Sequence, residues 1–262
     1  MTIKDAMQST GIDRLDAEVL LAAHLGKDRV WLISHESDEV QDENNWHHWV
    51  ERRKKHEPVA YITGTKEFYG HDFIVNKDVL VPRPETEYVV DLALDIFDIN
   101  ETTIRSTGGG IVAAAFIWGS LKGVKTVCDV CTGSGCIAIA LKLERPSLDV
   151  FGCDISKEAL SVANENSLVL EADVDFRHGD LLSPLDDIKE PFLIVSNPPY
   201  VPSGHELPTD VYDFEPHIAL FSGAQGVYHT QKILDLARNH PYAQGIVLEC
   251  RQNQLEVLDY KA

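Results

Sequence analysis

The sequence is short of positive charge. Its 262 residues carry 23 Lys plus Arg against 42 Asp plus Glu, a formal net charge of −19. A chain this negative repels phosphate backbones and anionic lipid surfaces unless one face is locally basic, so no direct nucleic-acid partner and no membrane partner is expected. Long apolar runs are missing too. The longest, Ile111 to Trp118, falls far short of the roughly 20 residues a bilayer-spanning helix needs. The start, Met1-Thr-Ile-Lys-Asp-Ala-Met7, leads into no apolar core, so no secretory signal is read. Cysteine is sparse and odd in number, 5 in all. Without a signal peptide these thiols are expected to be reduced, in a cytoplasmic setting. Cys128 and Cys131 stand at C-x-x-C spacing, but no second pair follows and Cys136 and Cys153 fall in other elements, so no metal site is expected. The 11 His form no H-E-x-x-H, and His47 and His48 read as exposed positions on a helix. No Gly-x-Ser-x-Gly element points to a hydrolase. There is no internal repeat.

What is present is ordinary for a globular protein, with 44% hydrophobic and 25% charged residues, enough for one large or two modest domains with a real core. Ile12, Leu15, Val19, Leu20 and Ala23 recur at helical spacing between an Asp13 cap and a Gly26 stop. A second helix is expected from Ser37 to His56, with Trp46, Trp49 and Val50 on one side. Its basic end, Arg52 to Lys55, reads either as a solvated terminus favoured by the helix dipole or as a docking patch for an anionic partner. From Tyr61 the texture turns β-branched and aromatic, with Gly64 and Gly70 as punctuation, which predicts a hairpin linker. Pro84 then opens a helix to about Phe97. These features divide the chain into a helical domain over 1–60, a hairpin linker over 61–82 and a larger domain over 83–262.

Past a Thr- and Gly-rich loop, Thr102 to Gly110, strands and helices alternate. Strands are expected at Thr126–Val130, Leu148–Ile155, Val174–Arg177, Phe192–Ser196 and Gly245–Glu249. Helices follow Gly135 and Ser156, another is expected over His229–Asn239, and a last one starts at Gln252. Such alternation predicts an α/β, Rossmann-like doubly wound parallel sheet. Ser106 to Gly123 is apolar, and its bland reading is an extra helix packed on the sheet.

Ligands in such sheets sit at the carboxyl ends of strands. There, Cys131-Thr-Gly-Ser-Gly135 forms a turn whose glycines let the backbone approach a ligand, ahead of a helix start with free N–H groups. Asp154 ends the next strand, where a carboxylate can accept hydrogen bonds from both hydroxyls of a ribose. This spacing favours a nucleoside and leaves a dinucleotide and S-adenosylmethionine both open. Asn197-Pro-Pro-Tyr200 is more discriminating. The Asn197 side-chain carbonyl and the Pro198 backbone carbonyl are two acceptors able to hold one planar NH2 by both hydrogens, with Tyr200 supplying an aromatic face. That arrangement aims a nitrogen at a methyl donor.

Val81-Pro-Arg-Pro-Glu-Thr-Glu87, Asp129-Val-Cys-Thr-Gly-Ser-Gly135, Asn197-Pro-Pro-Tyr200, Phe214-Glu-Pro216 and Gly64-Thr-Lys-Glu-Phe-Tyr-Gly70 resemble, in order, the HemK/PrmC protein-(glutamine-N5) methyltransferases. The resemblance implies a class I S-adenosylmethionine-dependent methyltransferase with a small N-terminal helical domain. Its substrate would be the glutamine of the Gly-Gly-Gln motif in class 1 peptide chain release factors, and its N-terminal domain would help grip that partner. It implies that Asp129 and Cys131, Thr132, Gly133, Ser134 and Gly135 lie under the methionine part of the donor. It places Asp154 on the ribose and Asp180 and Leu181 beside the adenine. Asn197, which also touches the donor, would act with Pro198, Pro199 and Tyr200 at the substrate amide.

The chain departs from the family pattern in three places. Cys131 replaces the first loop glycine, where a thiol either crowds the donor or tilts away. The Ser106–Gly123 segment is unusually long. The sequence stops soon after the fifth strand, where relatives add a helix and an antiparallel strand pair, which predicts an open sheet edge. Two other readings use the same motifs: an adenine-N6 methyltransferase acting on nucleic acid, which needs a basic cleft, and a donor-binding module without activity.

Overall fold

The computed structural model describes residues 1–99, 101–108 and 110–259. The chain separates into two compact units, Met1–Thr65 with Leu207–Phe214, and Lys66–Glu206 with the segment from Glu215 onward.

The first unit is helical: α1 (Ile3–Gln8), α2 (Arg14–Leu25), α3 (Arg29–Ser34), α4 (Glu43–Lys54) and α5 (Val59–Thr63). Asp13 caps α2 by accepting from Leu15 N at 2.8 Å, and Gly26 ends it at φ 62°. Leu20, Leu21, Trp46, Val50 and Ile62 share its core. Leu21 belongs there in place of Leu15, which is 51% exposed. The expected Ser37 helix starts only at Glu43, because Asp42 turns the chain at φ 49° and its carboxylate caps Asn45 N. Tyr61 falls in α5, so the hairpin begins later than the sequence suggests. The basic end of α4 is neutralised within the unit: Arg52 pairs with Glu57, Arg53 with Asp16 and Asp210, and Lys54 with Glu51. Those ion pairs favour the solvated-terminus reading over a docking patch.

The second unit opens with the hairpin of β1 (Thr65–Phe68) and β2 (His71–Ile74). Tyr69 and Gly70 turn it at φ 52° and 78°, the paired positive values a type I′ turn requires. Phe68 and Phe73 meet edge to face at 5.9 Å in the main core. A short 3-10 turn, Pro84–Thr86, leads into α6 (Glu87–Ile99).

The next segment overturns two expectations. Among the described residues, the Thr102–Gly110 stretch is not a loop and Ser106–Gly123 holds no helix. They form β3 (Thr103–Gly108) and β4 (Ile111–Ile117), paired antiparallel. The expected open edge is absent as well, because β4 runs antiparallel along β9 (Ala243–Arg251) from Ile111↔Arg251 to Ile117↔Gly245. Alanine prefers helix, but Val112–Phe116 are all buried. A strand buried on both faces and bonded to a waiting edge outweighs a weak local propensity.

Between them run β5 (Thr126–Val130), α7 (Cys136–Glu144), β6 (Asp149–Asp154), α8 (Lys157–Val169), β7 (Val174–His178) and β8 (Phe192–Ser196). After the single turn α9 (Thr209–Tyr212) comes α10 (Tyr228–Asn239), then β9. Among the described residues the sheet order is β3-β4-β9-β8-β5-β6-β7, with the last five strands parallel. This is the expected Rossmann-like methyltransferase sheet. One core cluster joins it to α6 and α7 and a second joins it to α10. The expected last helix is a 3-10 turn, Gln252–Glu256. No helix among the described residues is long and apolar enough to cross a membrane. The chain leaves β5 for β6 and β7, then returns to β8 on the other side of β5. That reversal opens a cleft at the carboxyl ends of β5 and β8.

Candidate functional site

The cleft has a volume of about 1030 Å3, its open mouth included, and lies wholly within the second unit. Its floor is the turn after β5. Cys131 enters it at φ 64°, followed by Gly133 at φ 54° and Gly135 at φ 80°. The left-handed value at Cys131 explains why glycine suits that position; cysteine holds it at a cost of about 1–2 kcal/mol. Its side chain packs on the second core cluster while also lining the cleft. Gly135 caps α7 without a side-chain hydrogen bond, so the positive end of the helix faces the turn. A Cβ at Gly135 would meet the Phe176 ring at 2.9 Å and Ala163 Cβ at 3.1 Å. Gly135→Ala is therefore expected to cost about 2–4 kcal/mol through overpacking and a left-handed non-glycine backbone. Thermal denaturation checks it: an unchanged midpoint would contradict the packing.

Asp129, in β5, lies beneath the turn. Its Oδ2 accepts from Thr132 Oγ1 at 2.6 Å and Ala138 N at 3.3 Å. Its Oδ1 is buried with no protein partner. Burial pushes this carboxyl up to about 7, against the pull of those two hydrogen bonds. A folded value raised above the unfolded one means that the folded state holds the proton more tightly. Its contribution to stability is full below about 4 and is lost as pH rises toward 7. In urea titrations at pH 5 and pH 8, the wild type is expected to lose more stability across that interval than Asp129→Asn; equal losses would contradict the assignment.

Asp154 ends β6. Its Oδ2 accepts from Gly133 N and its Oδ1 from Ser156 N, both at 2.9 Å. Burial raises its pKa, and the backbone N–H groups oppose the rise. Asp180 pairs with Lys232 of α10 at 2.9 Å, and Leu181, next to it, accepts from the Cys153 thiol at 3.1 Å. Asn166 of α8, fully buried, donates to Ser134 O and Ile74 O and accepts from Ile74 N, joining hairpin and turn.

Asn197 follows β8. Its Nδ2 donates to Thr86 Oγ1 at 2.9 Å, and Thr86 donates to Glu249 Oε2 at 2.7 Å. The Tyr200 hydroxyl donates to the other oxygen of Glu249 at 2.9 Å. Burial raises the Glu249 pKa while both hydroxyl donors lower it.

Of the sequence-read residues, Cys131, Thr132, Gly133, Ser134, Asp154, Asp180, Leu181, Asn197 and Pro199 line the cleft; Asp129, Gly135, Pro198 and Tyr200 are not among its lining residues. Sequence reasoning missed Arg83, Thr86 and His229, which also line it. Arg83 pairs with Glu215, which also accepts from Val81 N at 3.3 Å, so the Pro-Arg-Pro and Phe-Glu-Pro stretches are tied to each other. Thr86 and Glu215 sat inside quoted motifs. Glu249, a carboxylate at the carboxyl end of an apolar strand, was a readable signal. His229 and Asn166 gave none. Among the described residues no His, Cys, Asp and Glu cluster could hold a metal.

Residues 3–64 match the PrmC N-terminal domain and residues 112–213 the methyltransferase small domain. Fold and cleft together define an α/β methyltransferase, for which S-adenosylmethionine is the cofactor. The residues present fit that group. Asp154, which lines the cleft, suits a ribose diol, and the α7 N-terminus suits a carboxylate.

The chain is 39% identical over 240 residues to the release factor glutamine methyltransferase of Koribacter versatilis, covering 87% of this chain and 78% of that one. It is 41% identical over 215 residues to the one from Leptospira interrogans, covering 79% and 68%. It is 32% identical over 246 residues to the one from Bacillus anthracis, covering 92% and 80%. The chain belongs to the release factor glutamine methyltransferase family.

Proposed function

We propose that the protein methylates the side-chain amide nitrogen of glutamine in the Gly-Gly-Gln motif of class 1 peptide chain release factors. The observation that carries this reading is the placement of Asn197, just after β8, in the same cleft as the turn after β5 and Asp154. When bound, S-adenosylmethionine would supply a methyl group from its sulfonium and leave as S-adenosylhomocysteine, the methylated amide nitrogen losing one proton to solvent; Asp154, the 131–135 turn and the Asp180–Leu181 segment would hold it.

An amide nitrogen is a weak nucleophile, since its lone pair is delocalised. Asn197 Oδ1 and the Pro198 carbonyl accept from the two N–H bonds, fix the nitrogen in line and stabilise positive charge growing on it. Pro199 closes the wall beside them. The Tyr200 ring, tethered through its hydroxyl to Glu249, bounds the amide plane. The helical residues 1–60 bind the release factor, the hairpin links, and 83–262 do the chemistry. This reading places the protein in the cytoplasm with the translation machinery.

A methyl-transfer assay tests the reading with three substrates: release factor, its Gly-Gly-Gln→Gly-Gly-Ala variant, and duplex DNA. Transfer to the first alone is expected. Transfer to DNA alone, or donor binding with transfer to none, overturns it.

A further inference from the structure

Asparagine is nearly symmetric in shape. Rotating its amide by half a turn exchanges an acceptor for a donor with little steric change, so an Asn that must present oxygen needs its orientation set by neighbours. In this cleft the neighbour is Thr86, on the 3-10 turn before α6, and Thr86 is itself set by Glu249 on β9.

We propose that Glu249 and Thr86 are positioning residues: a hydrogen-bond chain of fixed polarity, Asn197 to Thr86 to Glu249, that turns the Asn197 carbonyl oxygen toward the substrate amide. This inference rests on the reading of Asn197 as the amide-holding residue.

The polarity follows from counting protons. An ionised carboxylate accepts only. Glu249 takes one hydroxyl on each oxygen, Thr86 at 2.7 Å and Tyr200 at 2.9 Å. The Thr86 hydroxyl has a single hydrogen, and it is committed to Glu249. Its lone pairs are all that remain for Asn197, so only the Asn197 NH2 can face it, and the oxygen is left on the opposite side. Thr86 is 2% exposed and Glu249 1%, so water does not compete freely for either bond. The same carboxylate holds the hydroxyl of Tyr200, three residues along the motif. One group on β9 thus orders both polar ends of Asn197-Pro-Pro-Tyr200.

Replacing Glu249 by glutamine keeps the shape but adds a donor. An NH2 facing Thr86 lets the threonine hydroxyl turn and donate to Asn197, which then presents its own NH2 to a substrate NH2. Removing the hydroxyl in Thr86→Val leaves Asn197 unanchored.

The test combines kinetics with a readout independent of turnover. In single-turnover transfer to release factor, Glu249→Gln and Thr86→Val are each expected to slow the reaction about 100-fold, the scale of losing one oriented dipole at a developing charge. Affinity for S-adenosylhomocysteine is expected to stay within about threefold, and Thr86→Ser, which restores the hydroxyl, recovers most of the rate. In 15N-labelled protein, the Asn197 side-chain NH2 signals are identified by their loss in Asn197→Ala. They are expected to shift and to exchange faster with water in Glu249→Gln and Thr86→Val, and to hold in Thr86→Ser. Unchanged signals in folded Thr86→Val or Glu249→Gln, or unchanged transfer rates in an active enzyme, overturn the chain. Should the wild type methylate no glutamine while the signals respond as stated, the functional reading fails and the positioning role stands.

Discussion

Asn197→Ala is expected to slow methyl transfer to release factor by about 100- to 1000-fold, the range seen when one preorganised dipole is removed from a developing charge. Asn197 sits on the cleft wall after β8, and its NH2 is engaged by Thr86 at 2.9 Å, which leaves its oxygen for the substrate. Truncation removes one of the two acceptors that hold the amide, and the nitrogen then samples orientations out of line with the methyl group. The fold should tolerate the change, because Asn197 is only half-buried and loses one neutral hydrogen bond, about 1 kcal/mol. Single-turnover kinetics separate the chemical step from product release, and calorimetric titration with S-adenosylhomocysteine reports donor binding. A rate near that of the wild type would remove Asn197 from the chemistry. A parallel collapse of donor affinity would move its role to donor binding.

Asp154→Asn is expected to weaken donor affinity about 100-fold. Hydrogen bonds to a charged group contribute about 1.5–3 kcal/mol each, and losing charge assistance at two ribose hydroxyls sums to about 3 kcal/mol. Asparagine retains one acceptor oxygen, so one of the backbone bonds, to Gly133 N or Ser156 N, survives. Asp154→Ala loses both and also loosens the turn, so its thermal midpoint should fall further than that of the amide variant. Burial raises the Asp154 pKa. Donor binding by the wild type should therefore decline on acidification at a higher pH than an ordinary carboxylate would dictate, and that dependence should be blunted in Asp154→Asn. Wild-type affinity in Asp154→Asn would contradict the placement of the ribose.

The central parallel strands were legible because they are short apolar runs closed by turn residues: Thr126–Val130 before Cys131, and Phe192–Ser196 before Asn197. Asp13 and Ser156 announced helix starts that the structure keeps, Ser156 accepting from Ala159 N at 3.0 Å. The β3–β4 pair was not legible. Val112-Ala-Ala-Ala-Phe116 has the composition of a helix, and only the edge of β9, more than a hundred residues away in sequence, makes it a strand. The same covering strand removes the edge that the sequence's early stop had suggested would be open. In the site, glycines and Asn-Pro-Pro-Tyr200 were readable because local backbone chemistry demands them. The Glu249–Thr86–Asn197 chain was not, since its three members come from separate stretches of sequence and only the folded sheet brings them together.

A crystal structure with S-adenosylhomocysteine and a Gly-Gly-Gln segment bound puts the central claim to the most direct test. Asn197 Oδ1 and Pro198 O are each expected about 3 Å from the glutamine side-chain nitrogen, with Asn197 Nδ2 still on Thr86. Oxygens that diverge, or an Asn197 NH2 turned toward the substrate, would contradict it.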